Sequence, residues 1–203
     1  MEKTFEVVSG TLVCSDPCYT IDPPTWCQGI VENVKKGKWN AQIERMDLGD
    51  WGERISVLMV SHESNPNPTF DFGEHLPFTA GVDSGQFGFF DKDFYRNDES
   101  AKDLPKYDFS PDFDRESGDV WYCVCCDLTL GDESWGVLPN GAVSSSGYGD
   151  GSYDVFAERN PEGEVIALCV VYIWEDEENE DDGDVCGVCN YLNENCKCNE
   201  EEE

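Results

Sequence analysis

The sequence predicts a mainly β protein, an antiparallel β-sandwich or strongly bent sheet with few short helices, followed by a small cysteine-rich tail. Three observations predict this class. Apolar residues alternate with polar ones in several short runs, turn dipeptides separate those runs, and the composition changes sharply near residue 174. A length of 203 residues fits one domain with an appendage.

The first half of the chain contains two pairs of β-prone runs. Residues 4–8 and 11–14 flank Ser9-Gly10, a dipeptide that favours a tight turn between two strands. Residues 38–46 place Trp, Ala and Ile at alternate positions, as a half-buried strand does, and residues 54–61 are the expected partner strand.

The second half contains two nearly continuous apolar runs, residues 120–130 and 164–174. Both are rich in Val and aromatic residues, so we expect central strands covered on both faces, although periodicity alone does not distinguish such a run from a buried helix. Short helices are expected near residues 26–34 and 91–103. A glycine-rich stretch with the turn dipeptides Asn140-Gly141 and Asp150-Gly151 separates the two apolar runs.

The charge of the chain excludes several classes of function. It has 44 acidic and 13 basic residues, a formal net charge of −31. Direct binding to nucleic acid or to an anionic membrane is disfavoured, because both would repel the chain. No apolar run approaches the ~20 residues that span a bilayer, and no signal peptide is visible at the start. We therefore expect a cytoplasmic protein whose 11 cysteines are thiols or metal ligands.

Composition divides the chain into four segments. Residues 1–174 form the β-rich domain, which includes an acidic, aromatic-containing insertion at 91–119. Residues 175–185 form an acidic linker that lacks the apolar residues needed to offset its ordering entropy. A four-cysteine segment at 186–198 and a short acidic tail at 199–203 follow.

The four-cysteine segment predicts a structural zinc site. Two closely spaced thiol pairs can complete a tetrahedral centre, and four thiolate ligands leave no open position for catalysis. The spacing is that of a minimal knuckle, so metal binding would supply its folding energy. The predicted ligands are Cys186, Cys189, Cys196 and Cys198. A second site that combines Cys14, Cys18 or Cys27 with the cysteines of the 120–130 run lacks paired spacing, and buried core cysteines are the favoured interpretation.

Three aspartates lie in turn-like contexts: Asp16 before Pro17, Asp83 in Val82-Asp83-Ser84-Gly85, and Asp150 between two glycines. If the fold brings them together, three carboxylates can bind a divalent cation or share a proton. Aspartates before Pro or Gly more often accept hydrogen bonds from the backbone of the turn, and that interpretation is favoured.

These motifs resemble those of a known family. The sequence contains Ser15-Asp16-Pro17 near its start, Val82-Asp83-Ser84-Gly85 in the middle and Gly149-Asp150-Gly151-Ser152-Tyr153 towards the end. In this order they resemble a bacterial and phage family that is known only as a domain of unknown function. The resemblance covers most of residues 5–173 and implies a β-rich single domain, with no established activity or catalytic residue. The four-cysteine tail and much of the 91–119 insertion lie outside it.

The favoured function is that of a non-catalytic acidic protein that binds or inhibits a basic protein partner. In its sharper form the carboxylates imitate phosphates and occupy a nucleic-acid-binding protein, in a phage–host setting. The acids of 91–119 and 175–184 are the expected partner-facing charges. One alternative is a metal-assisted hydrolase that uses Asp16, Asp83 and Asp150. A third class is a carbohydrate or small-ligand binder that stacks its ligand on some of the six tryptophans.

Overall fold

A computed structural model describes residues 3–21, 27–70, 74–104 and 119–174. The chain divides into two compact units, Met1–Ile173 and Trp174–Glu203. All of the elements that follow belong to the first unit. In chain order they are β1 (Thr4–Val7), β2 (Thr11–Ser15), β3 (Gly29–Glu32), β4 (Gly37–Asp47), β5 (Glu53–His62), β6 (Glu74–Val82), β7 (Gln86–Asp91), α1 (Asp98–Ala101), α2 (Val120–Leu130), β8 (Trp135–Leu138), β9 (Gly141–Ser145), β10 (Gly151–Arg159) and β11 (Val165–Val171).

The strands form two antiparallel sheets, which confirms the predicted fold class. One sheet has six strands in the order β1-β4-β5-β11-β10-β6, and the other has five in the order β3-β2-β7-β9-β8. The predicted pairing of residues 38–46 with 54–61 is the β4–β5 hairpin, in which Ile43 lies opposite Leu58. A tight turn joins β8 and β9 where Asn140-Gly141 predicts one, although its two residues are Pro139 and Asn140, and Gly141 begins β9 opposite Leu138.

The main hydrophobic core lies between the two sheets. Strand alternation sends Leu12, Phe87 and Phe89 inward from the five-stranded sheet, and Trp39 and Leu168 inward from the six-stranded sheet. All five side chains are fully buried. Burial of such a side chain contributes about 1.5–3 kcal/mol, so this layer supplies much of the stability of the domain.

The apolar run at 120–130 is a helix, and its prediction as a central strand was wrong. Trp121, Val124, Cys125 and Leu128 recur at helical spacing, and they pack on the outer face of the five-stranded sheet around Phe90. Most of the remaining residues of α2 are also buried, which explains why the run shows no polar face in the sequence. The molecule therefore has three layers: sheet, sheet and helix.

Ser9-Gly10 lies between β1 and β2, as predicted, but these two strands belong to different sheets and do not pair with each other. β1 pairs with β4, whereas β2 pairs with β3 and β7. The Asp91 carboxylate fixes this crossover, because its Oδ2 accepts hydrogen bonds from the amides of Val8 at 2.6 Å and Ser9 at 2.8 Å. The dipeptide thus marks a change of direction between layers.

The helices predicted near residues 26–34 and 91–103 were largely wrong. Where residues 26–34 are described, they form β3, in which Val31 is buried and its neighbours Ile30 and Glu32 are exposed. In the 91–103 region, helix is limited to α1, which Asn97 caps by accepting a hydrogen bond from the Glu99 amide. Within the part of the chain that is described, no helix is long and apolar enough to span a bilayer.

Candidate functional site

The three sequence motifs meet at one end of the sandwich. Val82 at the end of β6 pairs with Gly151 at the start of β10, and Gln86 at the start of β7 pairs with Ser145 at the end of β9. Ser15 ends β2 at the same level, opposite Gly88. The loops 16–19, 83–85 and 146–150 therefore lie together, and we refer to them as the motif junction.

Asp16 is the centre of the motif junction. Its side chain is fully buried, and its Oδ2 accepts hydrogen bonds from the backbone amides of Asp83 at 2.9 Å and Ser84 at 2.7 Å. Its Oδ1 accepts from the Ser84 hydroxyl at 2.6 Å and from the Cys18 amide at 2.8 Å. Four donors thus occupy the acceptor positions of one buried carboxylate and tie the 16–19 loop to the 83–85 turn.

The other two motif aspartates accept further hydrogen bonds at the same turn, Asp150 from the turn itself and Asp83, a member of the turn, from the 16–19 loop. Asp150 Oδ1 accepts a hydrogen bond from the Gly85 amide at 3.1 Å, and the Asp83 carboxylate accepts one from the Tyr19 hydroxyl. The structure therefore brings the three predicted residues together, each as a hydrogen-bond acceptor. Across the residues described, no group of three or more His, Cys, Asp or Glu side chains has the geometry to hold a metal ion.

Sequence reasoning missed the contribution of α2 and β7 to this junction. Tyr122 lies within hydrogen-bonding reach of Ser84 and Cys126. The Gln86 side-chain nitrogen is 3.5 Å from both the Ser84 hydroxyl and the Cys126 sulfur. Gln86 Oε1 is buried without a hydrogen-bond partner. No sequence signal placed Tyr122 beside Ser84, because residues 120–130 are predicted from the sequence to be a strand.

The thiols at the motif junction are held in their neutral form. Burial, together with the hydrogen bond and negative charge of Asp16, raises the pKa of Cys18 to about 12. Burial also raises the pKa of Cys126. Because the thiolate is the nucleophilic form, these cysteines are poor nucleophiles at neutral pH.

The remaining cysteines fall into two groups. Cys14 lies in the core between the sheets and Cys125 lies in the core beneath α2, as expected for buried core cysteines. The predicted zinc ligands lie outside the described residues, as do the acidic linker, the tail and positions 105–118 of the insertion. Those predictions therefore stand as they were made from the sequence.

The end that carries the motif junction is also the more acidic end of the domain. β4 ends at the same end of the sandwich as the motif junction, and β5 and β8 begin there. The β4–β5 turn and the loop 131–134 therefore lie at this end too. We call this surface the loop end. Among the described residues its exposed acids are Asp47, Asp50, Glu53, Asp83, Asp119, Asp132, Glu133 and Asp150.

Four cations within the described residues face these eight acids, and each is already engaged. Lys3 pairs with Glu133, Arg45 lies 3.7 Å from Glu53, and Arg54 donates to the Trp51 carbonyl at 3.1 Å. Arg96 donates to the carbonyls of Pro17 and Cys18 and pairs with Asp119. The opposite end has seven solvent-accessible acids against five cations, so it is closer to balance. Its acids are Glu6, Glu32, Glu63, Glu74, Asp93, Glu162 and Glu164, and its cations are Lys35, Lys36, Lys38, Lys92 and Arg159.

The tryptophans differ in accessibility. Trp39 and Trp121 are buried in the two cores. The ammonium of Lys3 lies 3.8 Å from the centroid of the Trp135 ring, so that ring is already occupied by a cation. Trp51 is 69% exposed at the loop end, which leaves it as the accessible indole among these four.

The fold and the motif junction define a three-layer β-sandwich whose end loops are fixed by buried carboxylates. Residues 5–170 match the family described as "Protein of unknown function (DUF4241)", and the chain belongs to that family. No curated protein matches the chain, and no solved structure matches it. The predicted membership of a domain-of-unknown-function family is thereby confirmed.

Proposed function

We propose that this protein is a non-catalytic acidic interaction protein that binds a basic protein partner. The observation that carries the proposal is the charge of the loop end, where eight exposed acids face four engaged cations among the described residues. Complementary potentials steer association and set the choice of partner, and a net charge of −31 makes a basic partner the natural one.

The motif junction supports this proposal by its rigidity. Loops that change shape on binding lose affinity to ordering entropy. Here Asp16 and Asp150 hold the 83–85 turn through hydrogen bonds to three consecutive backbone amides. The acids of the loop end are therefore displayed on a surface that is organised before the partner arrives.

The sharper form of the proposal is nucleic-acid mimicry in a phage–host setting. In that form the exposed carboxylates stand in for phosphates, and the partner is a nucleic-acid-binding protein that this chain inhibits. The acids of 91–119 and 175–184, the partner-facing charges expected from the sequence, add to the negative charge available for such mimicry. A DNA duplex should then compete with this chain for the purified partner.

The experiment is an affinity capture from host lysate treated with nuclease. Full-length protein and a 1–174 truncation are compared at low and high salt. The proposal expects one basic protein that is lost at high salt, and dependence on the truncation shows how much of the contact the tail supplies. Recovery of no basic protein, or of one retained equally at high salt, contradicts the proposal.

The cysteine-rich tail adds a structural element to the proposal. We assign one structural Zn²⁺ to Cys186, Cys189, Cys196 and Cys198, because two closely spaced thiol pairs can complete a closed tetrahedral site. We also place the protein in the cytoplasm. This placement rests on the sequence, whose 11 cysteines fit thiols and metal ligands of a reducing compartment.

The metal-assisted hydrolase is kept as a second candidate because Asp16, Asp83 and Asp150 all take part in hydrogen bonds at the 83–85 turn. Calorimetric titration of the full-length chain with Mg²⁺ and Mn²⁺ separates it from the interaction protein. Binding that is lost in Asp150→Asn, while the fold is retained, favours the hydrolase. Absence of binding, or binding that Asp150→Asn leaves unchanged, is the result expected of the interaction protein.

A further inference from the structure

The β4–β5 hairpin extends beyond the rest of its sheet. β11 pairs with β5 only as far as Val57, whereas the hairpin continues to the pair Asp47 and Glu53. A single 3-10 turn, Gly49–Trp51, closes it. Met46 and Leu48, which lie just before this turn, pack against the main core. The core thus holds the end of the hairpin in place beyond the last pair with β11.

The tip holds the Trp51 side chain out in solvent. The side chain is 69% exposed, and the 3-10 turn buries no residue. The Gly49 amide donates to Asp47 Oδ1 at 3.0 Å, and the Gly52 amide donates to the Gly49 carbonyl at 2.9 Å. Gly49 and Gly52 have φ values of 62° and 72° with open space around them, so the glycines serve the backbone conformation.

Resting on the proposed function, we propose that Trp51 is the apolar anchor through which the protein binds its basic partner. An exposed indole on a preorganised turn is typical of the residues that dominate binding energy at protein interfaces. Asp50 and Glu53 beside it in the sequence are exposed, and Arg45 of the same hairpin donates to the Glu133 carbonyl in the loop that carries exposed Asp132. The partner that fits is a protein with an indole-sized pocket whose rim carries Lys and Arg.

The test measures the affinity of the captured basic partner, after purification, for four forms of the full-length chain by biolayer interferometry. These are wild type, Trp51→Ala, Trp51→Phe and Val8→Ala. Val8 is 50% exposed at the opposite end and serves as the control for loss of an exposed apolar side chain. We expect Trp51→Ala to weaken binding about 30-fold or more. Trp51→Phe should weaken it less, and Val8→Ala should match wild type within about twofold on the same scale.

Two results would overturn the inference, and each is distinguishable from failure of the proposed function. If the partner binds Trp51→Ala within about threefold of wild type, the protein still binds a basic partner but through another surface. If sedimentation shows that the free protein dimerises and that Trp51→Ala abolishes the dimer, the indole binds a second copy instead. If no basic partner is captured at all, the proposed function fails and the inference fails with it.

Discussion

Replacing Asp16 with Asn should destabilise the domain strongly, although the two side chains have nearly the same shape. The carboxylate accepts four hydrogen bonds, three of them from backbone amides. An Asn side chain has one acceptor oxygen and one NH₂ group. If the NH₂ replaces Oδ2, it faces the amides of Asp83 and Ser84. If it replaces Oδ1, it faces the amide of Cys18, so at least one buried donor loses its partner in either orientation.

The magnitude follows from these contacts. Loss of charge assistance and one buried unsatisfied donor each cost about 1–3 kcal/mol, so we expect Asp16→Asn to lower the free energy of unfolding by about 2–6 kcal/mol. For a chain of this size, the shift in melting temperature is roughly 4–24 °C. Urea unfolding followed by circular dichroism measures the change directly.

Asp83→Asn is the matched control. Asp83 is exposed, and its carboxylate accepts a hydrogen bond from the Tyr19 hydroxyl, so its loss should cost less than about 1 kcal/mol. The reasoning is refuted if Asp16→Asn lies within about 0.5 kcal/mol of wild type, or if the two variants are equally destabilised.

The remaining predictions concern α2, the thiols and the tail. Trp121→Ala should lower the free energy of unfolding by about 3–5 kcal/mol, because the Trp121 side chain is 3% exposed and packs against Phe90. The control, Trp51→Ala, should change it by less than about 0.5 kcal/mol. Equal changes for the two variants in urea unfolding would contradict the packing of α2 on the sheet. Alkylation of Cys18 at pH 8 should accelerate in Asp16→Asn, because loss of the Asp16 charge lowers the Cys18 pKa from about 12. Cys169, whose pKa burial raises to about 12, is the control measured by peptide mass spectrometry, and a parallel rise at Cys169 would indicate general unfolding instead. Mass spectrometry of metals should find about one zinc per full-length chain and none in the 1–174 truncation; zinc retained by the truncation would place the metal elsewhere.

Strands that are half buried could be predicted from the sequence because one face meets the core and the other meets solvent. Trp39 and Ala41 are buried while Asn40 between them is not, and this alternation was visible. The runs that became α2 and β11 look alike in sequence, because both are covered on more than one side. Only the helical spacing of Trp121, Val124 and Leu128 distinguishes α2, and the apolar residues between them obscured it.

The candidate site could be predicted in its residues but not in its arrangement. Aspartates beside Pro and Gly indicated turn acceptors, and that is the role the structure gives them. Their convergence on one turn depends on contacts between residues 65–68 positions apart, which no local pattern reports. The participation of Tyr122 and Gln86 follows from the packing of α2 on β7, so it too became visible only in the folded chain.

The central claim is that the loop end binds a basic partner, and two sets of charge-neutralised variants test it most directly. One set removes the exposed acids of the loop end (Asp50→Asn, Glu53→Gln and Asp132→Asn), and the matched set removes exposed acids of the opposite end (Glu32→Gln, Glu63→Gln and Glu162→Gln). Both change the net charge equally. The measurement is the association rate constant with the purified partner at low salt. We predict a fall of about tenfold for the loop-end set and less than about twofold for the opposite set, since steering depends on where the charge lies. Equal effects from the two sets would contradict the account.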